Sequence, residues 1–170
     1  QQIPEAKLAD WVGAKLPKGA VVGFDPWLHT IAEIERLETA LKAHGATLKP
    51  LGSNPVDTVW GRARPKPPKG QIVPHDLAHA GEAAAEKIVA IQKVLKADKH
   101  DAAVLTMPDS IAWLLNMRGA DIGHVPVALA FAIVPEKGKP ELFVDAKKIG
   151  ANVKGHLEAV AKLYAPKELK

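Results

Sequence analysis

The chain contains no cysteine, and Ser53 and Ser110 are its only serines. Without thiols it can build no disulfide framework, no Cys-ligated zinc or iron–sulfur site and no thiolate nucleophile. Two serines leave little room for a serine hydrolase, and no nucleophile elbow surrounds either one. No phosphate-binding loop of the GxGxxG or Walker type is present. Long apolar runs are also lacking: the strongest, Val125 to Val134, falls well short of the ~20 residues a membrane helix needs. No charged segment followed by an apolar one opens the chain, so no leader is visible, and the cytoplasm is the expected setting. Charge of one sign is scarce too, with Lys+Arg 23 against Asp+Glu 19 for a net +4.

What is present is an ordinary globular balance of 47% hydrophobic and 25% charged residues over 170 positions. That length suits one domain or a tight pair of small units with a core that needs no staples. The chain opens on Gln1 and closes on YAPKELK, and both ends look cut from something longer.

Pro4 to Leu16 has helical spacing, ended by Pro17 and Gly19. Val21 to Phe24 is short and β-branched, as a buried strand would be. Thr30-Ile31-Ala32-Glu33 has the form of a capping box, and Ile31, Ile34, Leu37 and Leu41 then line one helix face up to Gly45. Thr47 to Leu51 follows as a second strand. Strand, helix and strand with short connections imply neighbouring parallel strands.

Asn54 to Gly70 breaks this pattern. It is rich in Pro and Arg, with Val56, Val59 and Trp60 as apolar anchors, and reads as a strap joining residues 1–53 to residues 71–170. A long helix is expected from about Ala80 to Ala97, then a strand at Ala102 to Thr106 and a break at Pro108-Asp109. Val127 to Val134 and Glu141 to Asp145 suggest an antiparallel hairpin, and Asn152 to Leu163 a last helix. The expected fold is α/β, a single domain with a mixed five- or six-stranded sheet flanked by helices.

Candidate chemistry is sparse. His75 and His79 stand four apart in HDLAH, where zinc proteases have HExxH; Asp76 is too short for that base and no third ligand is obvious. The alternative is two exposed histidines at a helix start. Ser110 suits a helix cap. Trp11 and Trp113 lie in periodic apolar segments, which predicts core packing, whereas Trp27 and Trp60 follow turn signals. Arg62, Arg64, Lys66 and Lys69 form the one concentration of cations, in the proline-rich GRARPKPPKG. It is either a solvated linker or the contact of an anion- or nucleic-acid-binding module. Arg118 closes the apolar run Ile111 to Met117, so its guanidinium either clamps a carboxylate or carbonyls, or pairs with Asp109 or Asp121.

Two stretches together carry a family resemblance. DSIAWLLNMRGADIGHVPVALAFAIV, Asp109 to Val134, closely resembles a segment of the aminopeptidase P family, Xaa-Pro aminopeptidases of the M24 metallopeptidases. NPVDTVWGRARPKPP, Asn54 to Pro68, is similar to the same family's Asn-x-Val-Asp-x-x-Trp and Arg-Pro-x-x-Pro strap. LPKGAVVGFDPWLHT and HAGEAAAEKI fit further pieces in order, and only His124-Val125-Pro126 departs, where the family often has Asn-Pro.

The resemblance implies a creatinase/prolidase N-terminal-type domain, the middle one of a long-form enzyme that removes an N-terminal residue preceding proline. It places the metal ligands and catalytic histidines in a pita-bread catalytic domain outside this chain. No catalytic or metal residue is therefore carried over to it. Two divalent ions, manganese in expectation, would belong to that domain. The implied partners are the catalytic and first N-terminal domains, short proline-containing peptides and a homodimer of the parent, with no membrane and no nucleic acid. Asn116, Arg118 and Gly119 are candidates for a domain-interface or substrate-cleft contact. Asp57, Trp60 and Arg64 are candidates for a structural strap.

Overall fold

The computed structural model describes residues 8–169. Two compact units divide between Pro65 and Lys66.

The first unit opens with α1 (Leu8–Lys15), β1 (Val21–Phe24), α2 (Ile31–Ala43), β2 (Thr47–Pro50) and α3 (Pro55–Trp60). β1 and β2 run parallel, with Val21 opposite Thr47 and Phe24 opposite Pro50. The capping box that starts α2 is complete. Glu33 N–H donates to Thr30 Oγ1 at 3.2 Å, and Thr30 N–H donates to Glu33 Oε2 at 2.8 Å. These bonds satisfy two helix-start amides that otherwise lack partners. Gly45, at φ +71, ends the helix in the left-handed region that glycine adopts without strain. Leu41 is fully buried, while Ile31 at the other end of the expected apolar face is exposed.

The second unit contains β3 (Val73–Pro74), α4 (Leu77–Ala80), α5 (Ala84–Ala97), β4 (Ala102–Leu105), α6 (Pro108–Leu114), β5 (Met117–Arg118), β6 (Phe131–Pro135), β7 (Glu141–Phe143), α7 (Ala151–Val160) and β8 (Lys162–Tyr164). Its main sheet has the order β4-β6-β7-β8. The first two pairings are antiparallel and β7–β8 is parallel, so the sheet is mixed. Along β6 the buried residues are Ala132 and Val134, the period-2 alternation of a strand with one covered face. Against that face pack Ile88 and Leu95 of α5, Ile111 and Leu114 of α6, and Val153 and Leu157 of α7. Each such side chain, fully buried, contributes roughly 1.5–3 kcal/mol.

The α/β class, the parallel opening pair and the late hairpin all match the sequence reading. The strands, however, do not join one sheet of five or six: β1 and β2 pair with each other, β3 and β5 form a second short pair, and four strands make the mixed sheet. Several local expectations need correction. Part of the strap is helical, because Asn54 caps α3 by accepting Val56 N–H and Pro55 occupies its first turn. Pro4 to Lys7 of the first expected helix lie outside the described residues. The long helix beginning near Ala80 is two, since Gly81 adopts φ +75 between α4 and α5. The last helix stops at Val160, and Lys162–Tyr164 instead joins β7 as a strand. Ser110 lies inside α6 rather than at its cap, Pro108 having started the helix earlier. Trp11 and Trp113, expected in the core, are both half-exposed, as is the supposed anchor Trp60, while Val56 and Val59 are exposed.

Candidate functional site

β3 and β5 are two residues each, antiparallel, with Val73 opposite Arg118 and Pro74 opposite Met117. The residues that follow β3 and precede β5 therefore meet, and His75 N–H donates to the Asn116 carbonyl at 2.8 Å. Asn116 is buried and adopts φ +47, a left-handed conformation that Asn tolerates better than most residues. Its side chain is used at both ends. Nδ2 donates to the Glu82 carbonyl at 2.8 Å, and Oδ1 accepts from Lys87 Nζ at 2.7 Å.

Lys87 is itself only 2% exposed. Its ammonium also donates to the Trp113 carbonyl at 2.9 Å and lies 4.5 Å from the Trp113 ring centroid, a cation–π contact. Trp113 thus holds a buried cation with one edge of its surroundings and meets solvent with the rest. Sequence reasoning met Lys87 only as the lysine that closes the HAGEAAAEK piece of the resemblance and gave it no role. The signal was its position one turn after Ala84 and next to Ile88, on the apolar face of α5, where lysine is out of place.

Arg118 is half-buried and makes no ion pair with Asp109 or Asp121. Its Nη1 donates to the Met117 carbonyl at 2.9 Å and, at the 3.5 Å limit, to that of Ala112. The carbonyl clamp is the observed arrangement, and the remaining donors of the fork have no acceptor among the described residues. His75 and His79 stack, with centroids 6.1 Å apart and planes at 29°. Burial, then the charges of Arg118 and His79, hold the His75 imidazole below its usual range against a smaller opposing effect of Asp76.

Gly119 serves close packing rather than a sharp turn. An added Cβ would lie 2.5 Å from the Ala128 amide nitrogen, and its own N–H donates to the Pro126 carbonyl at 3.1 Å. Two residues on, Asp121 gathers three partners. Oδ1 accepts from Gly70 N–H at 2.9 Å; Oδ2 accepts from Leu129 N–H at 2.7 Å and from Lys148 Nζ at 2.5 Å. Asp121 was weighed only as a partner for Arg118, and Lys148 not at all. The pair fixes the segment between β5 and β6 that carries Gly119.

Of the candidate strap residues, Asp57 and Arg64 form a solvent-exposed ion pair at 2.8 Å, an interaction of about 1 kcal/mol at most. Trp60 is half-exposed on the same helix. Farther along, Pro67 and Pro68 join Phe131, Phe143, Pro108 and Pro166 around a mainly apolar groove of about 440 Å³.

Among the described residues no group of three or more His, Asp or Glu is placed to hold a metal ion. His75 and His79 with Asp76 do not form such a group, so the residues here do not fit a metal centre. Among them, no helix is long and apolar enough to cross a membrane.

This α/β unit, with an Arg and Gly following its α6-to-β5 turn over a buried Asn, matches the model of the creatinase/prolidase N-terminal domain across residues 63–169. The chain belongs to that family. It is 42% identical over 148 residues to a probable Xaa-Pro aminopeptidase P of Coccidioides posadasii, covering 87% of this chain and 24% of the relative. A probable Xaa-Pro aminopeptidase P of Neosartorya fischeri is 40% identical over 157 residues, covering 91% of this chain and again 24% of the relative. Among solved structures, X-prolyl aminopeptidase from Caenorhabditis elegans, described as a cytosolic enzyme with a di-nuclear active site, aligns with a TM-score of 0.88 at 30% identity. That alignment covers 99% of this chain and 27% of the worm enzyme. The chain thus spans about a quarter of the length of the proteins it matches.

Proposed function

We propose that the chain is a non-catalytic domain of an Xaa-Pro aminopeptidase-like metallopeptidase, whose parent removes an N-terminal residue preceding proline. The carrying observation is the match of 99% of this chain to 27% of the worm X-prolyl aminopeptidase. The relatives' names support the reaction class, and the worm enzyme's di-nuclear centre supports metals in the parent. Those metals, manganese in our reading, would be held by a catalytic domain outside residues 1–170, where they would activate water for attack on the peptide bond. The worm enzyme's cytosolic setting favours the cytoplasm for the parent.

The domain's part is to pack on the catalytic domain and narrow its cleft, so that short peptides with proline second are admitted. The Asn116-to-Gly119 turn is the segment suited to that contact. It presents a guanidinium with free donors, held by backbone on a buried, hydrogen-bonded base. A positioning role of this kind separates from a structural one by its kinetics. In the longer polypeptide, Arg118→Ala should lower kcat/KM for Xaa-Pro peptides at least tenfold with metal content and melting temperature unchanged. Unaltered turnover would remove Arg118 from the cleft.

The basic segment Arg62 to Lys69 offers less to a rival reading as a nucleic-acid contact. Arg64 is paired with Asp57, and Pro67 and Pro68 line the groove.

A further inference from the structure

Asn116 fastens both ends of one surface segment. Its carbonyl accepts His75 N–H at 2.8 Å, and its side-chain Nδ2 donates to the Glu82 carbonyl at 2.8 Å. Between these anchors lies α4, with Asp76, Leu77, Ala78, His79 and Gly81 all exposed. β3, which leads into the segment, pairs over two residues only, Val73 with Arg118 and Pro74 with Met117. At the other end Gly81 turns at φ +75. Asp76 stands at the N-cap of α4 without a side-chain cap bond. A segment with few buried contacts, a short ladder before it and a glycine near its end opens at lower free energy than the core.

The charge around this segment is mostly of one sign. Lys87 of α5, 2% exposed, donates to Asn116 Oδ1, and Arg118 of β5 donates to carbonyls. Among the described residues no carboxylate lies within ion-pair distance of Lys87, Arg118, His75 or His79. The half-buried His75 ring stacks on that of His79. Burial first, then the charges of Arg118, His79 and Lys87, disfavour a proton on His75, and of the charges only Asp76 favours one. Glu86 is engaged with the Ala83 amide at 3.2 Å, and Glu82 is exposed. From α7, His156 lies 2.8 Å from the Leu115 carbonyl, a contact that a protonated ring keeps.

We propose that residues 75–82 form an acid-released flap, in which protonation of His75 and His79 sets two more cations against Arg118 and Lys87 and lifts the segment from Asn116. With the flap closed, His75 holds a proton less tightly than with the flap lifted, so falling pH favours lifting. The closed state keeps its full advantage above the free-ring value of about 6.5 and loses it as pH falls below. This rests on the reading of the Asn116-to-Gly119 turn as a contact with the catalytic domain. It adds a regulation of that contact, because lifting frees the Asn116 carbonyl and side chain on which the turn is built.

The test measures amide hydrogen-exchange protection factors, which cancel the intrinsic pH dependence of exchange, in the 170-residue chain at pH 7.5 and pH 5.0. Protection of the His75 amide, bonded to Asn116, and of the Gly81 amide, bonded to Leu77, should fall at least threefold in acid. The Ala132 and Val134 amides of β6 should keep theirs. The double variant His75→Gln, His79→Gln should lose the drop, and His79→Gln alone, at an exposed position, should reduce it. His156→Gln should leave it in place. Equal protection at the two pH values overturns the proposal, as does an undiminished drop in the double variant, a drop abolished by His156→Gln, or a loss shared equally by β6. In the longer polypeptide, kcat/KM for Xaa-Pro peptides should fall more steeply below pH 6.5 than in the double variant. Lifting without that difference would remove the turn from the cleft and leave the flap standing. A flap that stays closed, with Arg118→Ala still lowering turnover, would remove the flap alone.

Discussion

Lys148 Nζ lies 2.5 Å from Asp121 Oδ2, with the two side chains 6% and 0% exposed. Lys148 also donates to the Leu129 carbonyl at 3.0 Å, while Asp121 accepts from the Leu129 and Gly70 amides. Each charged atom of the buried pair thus has a hydrogen-bond partner. Removing one member leaves the other buried and uncompensated. Asp121→Ala should cost about 3–5 kcal/mol in urea unfolding, with Lys148→Met in a similar range. The double variant should cost clearly less than the sum, and strict additivity would show the pair to be uncoupled.

The same carboxylate sets an acid limit. Burial works to raise the Asp121 pKa, but the Lys148 hydrogen bond, the Leu129 and Gly70 amides and the Lys148 charge outweigh it, and the group sits below its usual value. The folded state therefore holds its proton less tightly than the unfolded chain does, so stability rises with pH across this window. The contribution is fully present above the unfolded value of about 3.9 and is lost as pH falls below it through the folded value. Unfolding curves from pH 6 down to pH 2 should show that loss. Asp121→Asn should be less stable at pH 6 and should show a shallower decline in acid. A parallel decline in both proteins would assign the acid sensitivity elsewhere.

Two glycines should respond in opposite directions. Gly119→Ala places a Cβ 2.5 Å from the Ala128 backbone nitrogen, which cannot swing aside, and a loss of about 1–3 kcal/mol is expected. Gly155 lies in α7 with nothing within 4 Å of an added Cβ. Gly155→Ala should raise stability by roughly 0.5–1 kcal/mol through helix propensity. Thermal melts of the two variants check both signs.

Asn116 supports the proposed contact surface from beneath. Asn116→Ala takes one acceptor from the Lys87 ammonium, leaves the Glu82 carbonyl without its donor and puts alanine at φ +47. A loss of roughly 2–4 kcal/mol in urea unfolding is expected. Arg118→Ala, by contrast, removes a half-buried side chain bonded to carbonyls and should cost about 1 kcal/mol or less. Equal losses would make Arg118 a structural residue.

Features written in local code were the legible ones. Thr30 and Glu33 announce their capping box, the β-branched Val21-Val22 its strand, and the Lys137-Gly138-Lys139 turn its hairpin. The resemblance of Asp109 to Val134 picked out Asn116 and Arg118 as candidates. What stayed hidden depends on partners distant in sequence. Lys148 finds Asp121 across 27 positions and Lys87 finds Asn116 across 29, and no local spacing links either pair. Lys162–Tyr164 continues the apolar rhythm of α7, so only its pairing with β7 reveals a strand. Trp113 sits at a helical core position, yet its ring is turned to shelter an ammonium rather than to fill the core.

The most direct test of the account is peptide release by the purified 170-residue chain, supplied with manganese, alongside the longer polypeptide of which we propose it is a domain. The account predicts release of the residue preceding proline by the longer polypeptide and none by the chain, whose described residues fit no metal centre. Metal-dependent, proline-specific release by the chain itself would contradict it.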